Sequence, residues 1–258
     1  MPFELSVAEA FVKSVSLAGT PRNLVSQSAA TEASAVFDQA KTQAQVVGSG
    51  VFSFAQGVDA MVRESISDSA LLAQLVANKH IDFEKKPHEW FKAYADVLEN
   101  VGWTLQEGSW TTYPASGTGV EVNEKIIEVM TAVLAPAAGA LSIITSTINA
   151  LKAMNADSSW ITIFSRESQK AKIARFQVGL VEKDPAGDVF VSLIACVVEA
   201  SNTITQVLFF KFKESEAVFS AYSSKVSINR AALTDLGHLI RNKIRAYQTD
   251  YLSSIKDI

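Results

Sequence analysis

The segments KIARFQVGLVEKD (172–184), DVFVSLIACVVEA (188–200) and TITQVLFFKFKE (203–214) decide the fold class of this chain. Val, Ile, Phe and Thr dominate them, and these residues favour the pleated, packed surface of a β-sheet. Turn-forming residues separate the segments at 184–188 and at 201–202. The pattern therefore predicts three consecutive strands joined by tight turns.

The middle segment is apolar on both faces and contains the only cysteine, Cys196. One face carries Phe190, Ile194, Cys196 and Val198, and the other carries Val189, Val191, Leu193 and Val197. A strand that is apolar on both faces belongs in a sheet that is covered on both sides. We therefore expect Cys196 to be buried. An apolar environment raises the pKa of a thiol, so this cysteine should be a poor nucleophile.

The rest of the chain divides into a mainly helical part, 1–119, and a part that holds the strands, 120–258. Periodicity predicts helices over 5–17, 23–46, 51–66, 68–79, from Pro87 onward, 122–134, 136–154 and 229–255. It predicts further strands over 160–167 and 217–228, and an isolated strand or hairpin over 103–113. No repeat or linker is evident, so residues 1–258 are predicted to form one domain.

Composition excludes several classes of function. The chain has 258 residues and a formal net charge of −4 at pH 7, which gives no electrostatic reason to bind nucleic acid. The first residues, MPFELSVAEAFVKS, lack the features of a conventional secretory signal peptide. No window reaches the ~18 consecutive apolar residues of a membrane-spanning helix. We therefore expect no nucleic-acid partner. If the protein is released from the cell, we expect a route that does not use a conventional signal peptide.

No catalytic motif is evident. The sequence has no G-x-S-x-G motif, no phosphate-binding P-loop and no dinucleotide-binding fingerprint. His80, His88 and His238 are scattered and show no metal-binding spacing. We therefore predict no catalytic site, no metal and no cofactor. A Cys–His pair brought together by the fold stays open as an alternative.

Three features have both an ordinary and a functional interpretation. Cys196 is by default a small core residue, and the predicted helical hairpin 122–154 is by default a cover for the core. The last predicted helix has a basic face, formed by Arg230, Arg241, Lys243 and Arg245. Such a face is usually solvated, although it could also contact anionic lipid headgroups.

An ordered series of segments runs from about residue 120 to residue 228. The apolar helix pair is followed by a tryptophan-containing strand with its turn (159–168), by a strand that ends in a glycine turn, and by the strand with Cys196. The block QVLFF (206–210) and a serine-rich strand complete it. In this order the chain resembles the Cyt-type cytolytic δ-endotoxins and the related Erwinia virulence factor, Evf. The QVLFF block is the most specific element.

The resemblance implies an α/β fold of the α+β type. In this fold a mostly antiparallel sheet lies between layers of helices in a single domain. The prediction from residue patterning alone, a sheet with two apolar faces, agrees with it.

The resemblance implies two mechanisms at membranes. In the Evf branch a buried cysteine carries a thioester-linked palmitoyl chain, and Cys196 is the only residue here that could carry it. Its pocket would then involve Phe190, Ile194, Val198, Leu208 and Phe210. In the Cyt branch an unacylated protein binds lipid headgroups, oligomerises on the membrane and permeabilises it after the 122–154 helix pair leaves the sheet.

The first hypothesis is therefore a lipid-binding virulence or toxin-like protein that acts at host membranes, with Cys196 acylated. The unacylated cytolysin is the alternative. An enzyme or an intracellular ligand-binding domain is a third, from a different class.

Overall fold

A computed structural model describes residues 3–19, 37–106, 108–114, 121–134, 138–154, 158–209 and 217–255. Its helices are α1 (Leu5–Ser14), α2 (Ala60–His80), α3 (Pro87–Asn100), α4 (Val122–Leu134), α5 (Ala138–Ala153), α6 (Ser159–Ser168), α7 (Arg230–Ile244) and α8 (Gln248–Tyr251). Its strands are β1 (Gln43–Val47), β2 (Gly50–Phe54), β3 (Trp103–Leu105), β4 (Trp110–Pro114), β5 (Gln169–Lys170), β6 (Ile173–Lys183), β7 (Val189–Ala200), β8 (Ala217–Ile228) and β9 (Leu252–Ile255).

All described strands belong to one sheet, in the order β3-β8-β7-β6-β2-β1-β9, with β4 also paired to β8 and β5 to β6. Every pairing is antiparallel except that of β2 with β6, which is parallel. The long strands β6, β7 and β8 form its centre, as their β-branched and aromatic composition predicts. The predicted α+β fold with a mostly antiparallel sheet is confirmed.

Each face of the sheet is covered by helices, so two separate apolar clusters are buried. On one face, the α2-side layer, the odd-numbered residues of β7 pack with α1, α2, α3 and α7. On the other face, the hairpin-side layer, the even-numbered residues Ile194, Cys196 and Val198 pack with α4, α5 and α6. The prediction that β7 is buried on both faces is therefore confirmed.

A close contact fixes β2 against β6. Phe52 pairs with Gly179 in the parallel register, and a Cβ at Gly179 would lie 2.7 Å from Cδ1 of the Phe52 ring. Glycine is needed at this position because the ring occupies the space of a side chain.

The third predicted strand, 203–214, is wrong over its described residues. A single 3-10 turn, Val207–Phe209, stands there instead, and residues 210–216 lie outside the described residues. This segment does not pair with β7, because β6 and β8 already occupy both edges of that strand. Its apolar residues Ile204, Val207 and Leu208 are buried in the hairpin-side layer instead.

The predicted strand 160–167 is also wrong, because these residues form α6. A short apolar run fits helix and strand alike, and tertiary packing decides between them. Here Ile161 and Phe164, one helical turn apart, are both buried in the hairpin-side layer, and Phe164 packs on Phe176 with ring centroids 6.0 Å apart.

Three other predicted helices, 23–46, 51–66 and 229–255, give way in part to strands. The segment Gln43–Phe54 forms the β1–β2 hairpin, with Gly48 at a positive φ of 53° in its turn, and α2 begins only at Ala60. The predicted helix 229–255 ends at Ile244, because β9 pairs with the free edge of β1. Most of the predicted helix 23–46 lies outside the described residues.

The remaining helix predictions are confirmed, including α3 and the α4–α5 hairpin. In the 103–113 segment, β3 and β4 each pair with β8.

Candidate functional site

Cys196 lies at the middle of β7 and has no exposed surface. Its backbone neighbours across the sheet are Phe176 on β6 and Ala221 on β8. The thiol is free and sits in the hairpin-side layer, where burial raises its pKa well above the ordinary value for cysteine. A thiol in this state is protonated at neutral pH and is a poor nucleophile.

Three of the five predicted pocket residues lie in the same buried layer as this thiol. Ile194 and Val198 flank Cys196 on the same face of β7 and are fully buried. Leu208 reaches the layer from the 3-10 turn and is 3% exposed.

Of the other two pocket candidates, one is described and is not part of this cluster. Phe190 lies at the start of β7, where it is partly exposed, and Lys225 Nζ lies 4.3 Å from the centre of its ring. Phe210 lies outside the described residues.

The sequence did not identify the helical residues of the layer that contains Cys196. They belong to the same buried cluster as Cys196 and come from α4, α5 and α6, namely Val122, Ile126, Met130, Ile144, Ile148, Ile161 and Phe164. The helical spacing was visible for α4 and α5 but not for α6, which was predicted as a strand, and spacing alone does not say which face of the sheet a helix covers.

One hydroxyl pair crosses from the sheet to the hairpin. Ser53 Oγ on β2 and Thr147 Oγ1 on α5 lie 2.7 Å apart in a buried position. Thr147 Oγ1 also donates to the carbonyl oxygen of Ile143 at 3.0 Å, so its single proton is used and Ser53 is the donor of the pair. This contact fixes α5 on a sheet face that is otherwise largely apolar.

The structure does not bring a histidine beside Cys196. His80, His88 and His238 lie on α2, α3 and α7, which cover the opposite face of the sheet, and all three are exposed. His88 packs edge-on against Trp110, with ring centroids 4.4 Å apart. Within the described ranges, no group of three His, Cys, Asp or Glu residues could hold a metal ion. The absence of catalysis stays a prediction.

The basic face predicted for the last helix is largely engaged within the protein. Arg230 bonds to Asp59, and Arg241 bonds to Asp68 and Glu64. Lys243 Nζ donates to the carbonyl oxygen of Lys13 on α1. These side chains therefore join α7 to the α2-side layer. Among the helices that the structure describes, none is long and apolar enough to cross a membrane.

Comparison with known proteins gave matches among solved structures only. No family profile and no curated protein sequence matches the chain. A delta-endotoxin structure is 14% identical, with a TM-score of 0.42, covering 69% of this chain and 79% of that chain. Activated Cyt2Ba from Bacillus thuringiensis subsp. israelensis is 12% identical, with a TM-score of 0.32, covering 54% and 79%. The Evf virulence factor is 11% identical, with a TM-score of 0.36, covering 77% and 82%.

Proposed function

We propose that this protein is a virulence or toxin-like protein that binds lipid and acts at host membranes, with a palmitoyl chain linked as a thioester to Cys196. The proposal starts from the ordered resemblance of residues 120–228 to the Cyt-type toxins and Evf. The observation that carries it is the position of Cys196, fully buried in an apolar layer between the sheet and the α4–α5 hairpin.

The chemistry of this position suits an acyl chain. Acylation removes the thiol proton and leaves a neutral thioester, which apolar surroundings tolerate better than a thiolate. A chain of sixteen carbons offers on the order of 10 kcal/mol of transfer free energy, at ~0.8 kcal/mol per CH₂. Ile194, Val198, Leu208 and Met130 form apolar surface of the kind that such a chain would contact.

The burial of Cys196 also bears on when acylation would occur in this proposal. In the acylation step the Cys196 sulfur attacks the carbonyl carbon of an acyl thioester, a new C–S bond replaces that of the donor, and the donor thiol leaves with the proton. Since the folded protein hides this thiol and raises its pKa, acylation would precede the docking of the α4–α5 hairpin on β7. The folded layer would then hold the chain.

Intact-mass measurement of protein purified from its native host tests the proposal. We expect a mass one palmitoyl group above the sequence mass of 27.8 kDa, and its loss after treatment with neutral hydroxylamine, which cleaves thioesters. Cys196→Ser, produced in the same host, should have the unmodified mass. An unmodified wild-type mass in the native host would rule out acylation.

A second function, an unacylated membrane-permeabilising cytolysin, is favoured by a different observation. The strands β6, β7 and β8 are 11, 12 and 12 residues long, and a strand needs ~9–11 residues to cross a bilayer. The α4–α5 hairpin covers the face that would have to be uncovered. Release of dye from anionic and zwitterionic vesicles by the unacylated protein would support this function, and no release at micromolar protein would count against it.

A further inference from the structure

The last described residues of the chain run around one edge of the sheet. Helix α7 ends at Ile244 in the α2-side layer, and α8 and β9 follow it. Strand β9 stands at the end of the strand order, beside β1, and α6 of the hairpin-side layer contacts it. We call α8 and β9, residues 248–255, the C-terminal strap. The strap therefore passes from one layer of the fold to the other.

The first contact of the strap lies in the α2-side layer. Gln248 Nε2 donates a hydrogen bond to Asp68 Oδ1 on α2 at 2.8 Å. Asp68 is 3% exposed, so water competes little for this carboxylate. Hydrogen bonds to carboxylates are stronger than those between neutral groups. This contact therefore fixes the start of the strap on α2.

The second contact is with the edge of β1. Strand β9 pairs antiparallel with β1 through four residues, among them Ser254 opposite Gln45. The backbone N–H of Gly48 also donates to the carbonyl oxygen of Tyr251, at 2.7 Å. All five residues of β1 are buried. A strand as short as β9 adds few ladder hydrogen bonds, so its pairing depends on the contacts at its ends.

The third contact is with α6. Arg166 Nη2 donates to the carbonyl oxygen of Asp250 at 2.6 Å, and Arg166 Cζ lies 5.4 Å from the centre of the Tyr251 ring. A guanidinium at this distance is attracted by an aromatic ring. The same helix places Ile161 and Phe164 in the buried cluster of the hairpin-side layer. The strap is therefore attached to the C-terminal half of α6.

We propose that the C-terminal strap controls the opening of α6, which leaves the sheet only after β9 has left β1. Coupling between distant sites needs a connected element with two arrangements, and here the strap is either paired with β1 or released. The three contacts act through one short segment. Loss of the contact between Gln248 and Asp68 therefore weakens the hold on α6, although the sheet lies between them.

This inference does not rest on the proposed lipid function, because it concerns the free protein in solution. Failure of the strap test would leave the acylation of Cys196 as it stands. An unmodified Cys196 would equally leave the strap as it stands.

Amide hydrogen exchange of the full-length protein, measured by mass spectrometry of peptides, tests the proposal. Gln248→Ala removes the contact with Asp68 at a partly exposed position and leaves β9 and α6 unchanged. We expect peptides from α6 and β1 to exchange about tenfold faster than in the wild type, as for the loss of a hydrogen bond to a carboxylate. Peptides from α3 and β7 should keep their wild-type rates.

Gln106→Ala is the matched control. Gln106 is exposed and follows β3, at the opposite end of the strand order. This variant should exchange like the wild type in all four peptides. Wild-type exchange of α6 in folded Gln248→Ala would overturn the proposal. So would an equal increase in α3 and β7, since the substitution would then destabilise the whole fold.

A disulfide separates the effect of the strap from a direct effect of Asp68 on the sheet. Gln45 and Ser254 lie opposite each other in the β1–β9 pairing, so cysteines at both positions should form a disulfide. In a Cys196→Ala background, α6 should exchange more slowly in the oxidised Gln45→Cys/Ser254→Cys protein than in the reduced protein. Adding Gln248→Ala should accelerate α6 exchange in the reduced form only. Equal acceleration in both forms would overturn the proposal.

Discussion

Phe176 and Cys196 lie opposite each other on β6 and β7, and neither side chain is exposed. The thiol of the unacylated protein is therefore closed in by the sheet and by the hairpin-side layer. We expect iodoacetamide to leave it unlabelled in native protein and to label it in denaturant, because alkylation needs an accessible thiolate. Mass spectrometry measures the labelled fraction. Native labelling as fast as labelling in denaturant would contradict this position of Cys196.

The same thiol should make stability depend on pH. Burial raises the pKa of Cys196, whereas the unfolded chain releases this proton above a pKa of about 8.5. The folded state then binds more protons, so its stability is lost as pH rises above that value, by at most about 1.4 kcal/mol per pH unit from this group.

Urea denaturation of unacylated protein, from neutral pH upward, measures this effect. The free energy of unfolding should fall more steeply with pH in the wild type than in Cys196→Ala, since other titrating groups are common to both. Parallel curves for the two proteins would show that the thiol is not specifically protonated in the folded state.

The contact between Phe52 and Gly179 predicts a local steric cost. Gly179→Ala places a methyl group 2.7 Å from the Phe52 ring and should lower the free energy of unfolding by about 1–3 kcal/mol. Phe52→Leu in the same protein should recover part of the loss. Gly139→Ala on α5, where no atom lies within 4 Å of the new Cβ, should leave stability unchanged or raise it by up to about 1 kcal/mol. Equal effects at the two glycines would contradict the prediction.

Composition predicted the centre of the fold well and its edges poorly. The strands β6, β7 and β8 are long and rich in β-branched residues, so their local preference agrees with their tertiary position. Residues 203–209 have similar composition, yet both edges of the preceding strand, β7, are already paired with β6 and β8. The β9 strand could not be foreseen either, because its only described strand partner, β1, lies about two hundred residues earlier in the chain.

The candidate site was predicted from one side only. Alternation along β7 placed Cys196, Ile194 and Val198 on one buried face, and the structure agrees. The helices that cover them could not be assigned to that face from the sequence, since an apolar helix stripe does not specify its partner. The buried position of Arg175 on β6 could not be predicted for a related reason. It interrupts an apolar strand, and only the fold shows that Trp90 stacks on it.

The contact between Ser53 and Thr147 allows a test of whether the α4–α5 hairpin must leave the sheet. The two hydroxyl oxygens lie 2.7 Å apart, so cysteines at both positions should form a disulfide across the layers. In a Cys196→Ala background, the oxidised Ser53→Cys/Thr147→Cys protein should release no dye from vesicles, whereas the reduced protein should release it. Equal release by both forms would show that permeabilisation does not need hairpin detachment. The Cys196→Ala protein, with and without reductant, is the control.

A buried carboxylate couples α2 to the C-terminal helices. Asp68 is 3% exposed and accepts hydrogen bonds from Arg241 Nε at 3.0 Å and from Gln248 Nε2 at 2.8 Å. Burial raises its pKa, against the opposing effect of these donors. Arg241→Ala leaves the Asp68 carboxylate without its cationic partner and should lower the free energy of unfolding at neutral pH. The expected loss is about 1–3 kcal/mol, a moderate value because Arg241 itself is partly exposed.

This loss should shrink as the pH falls. Without Arg241 the pKa of Asp68 in the folded state rises further above its unfolded value of about 3.9. The folded Arg241→Ala protein therefore takes up a proton before the unfolded chain does, and it gains stability relative to the wild type on acidification. Denaturation curves at neutral and mildly acidic pH measure the difference. Arg245→Ala, at an exposed position, should stay within about 0.5 kcal/mol of the wild type throughout. An Arg241→Ala loss that does not change with pH would mean that Asp68 does not depend on this arginine for its charge.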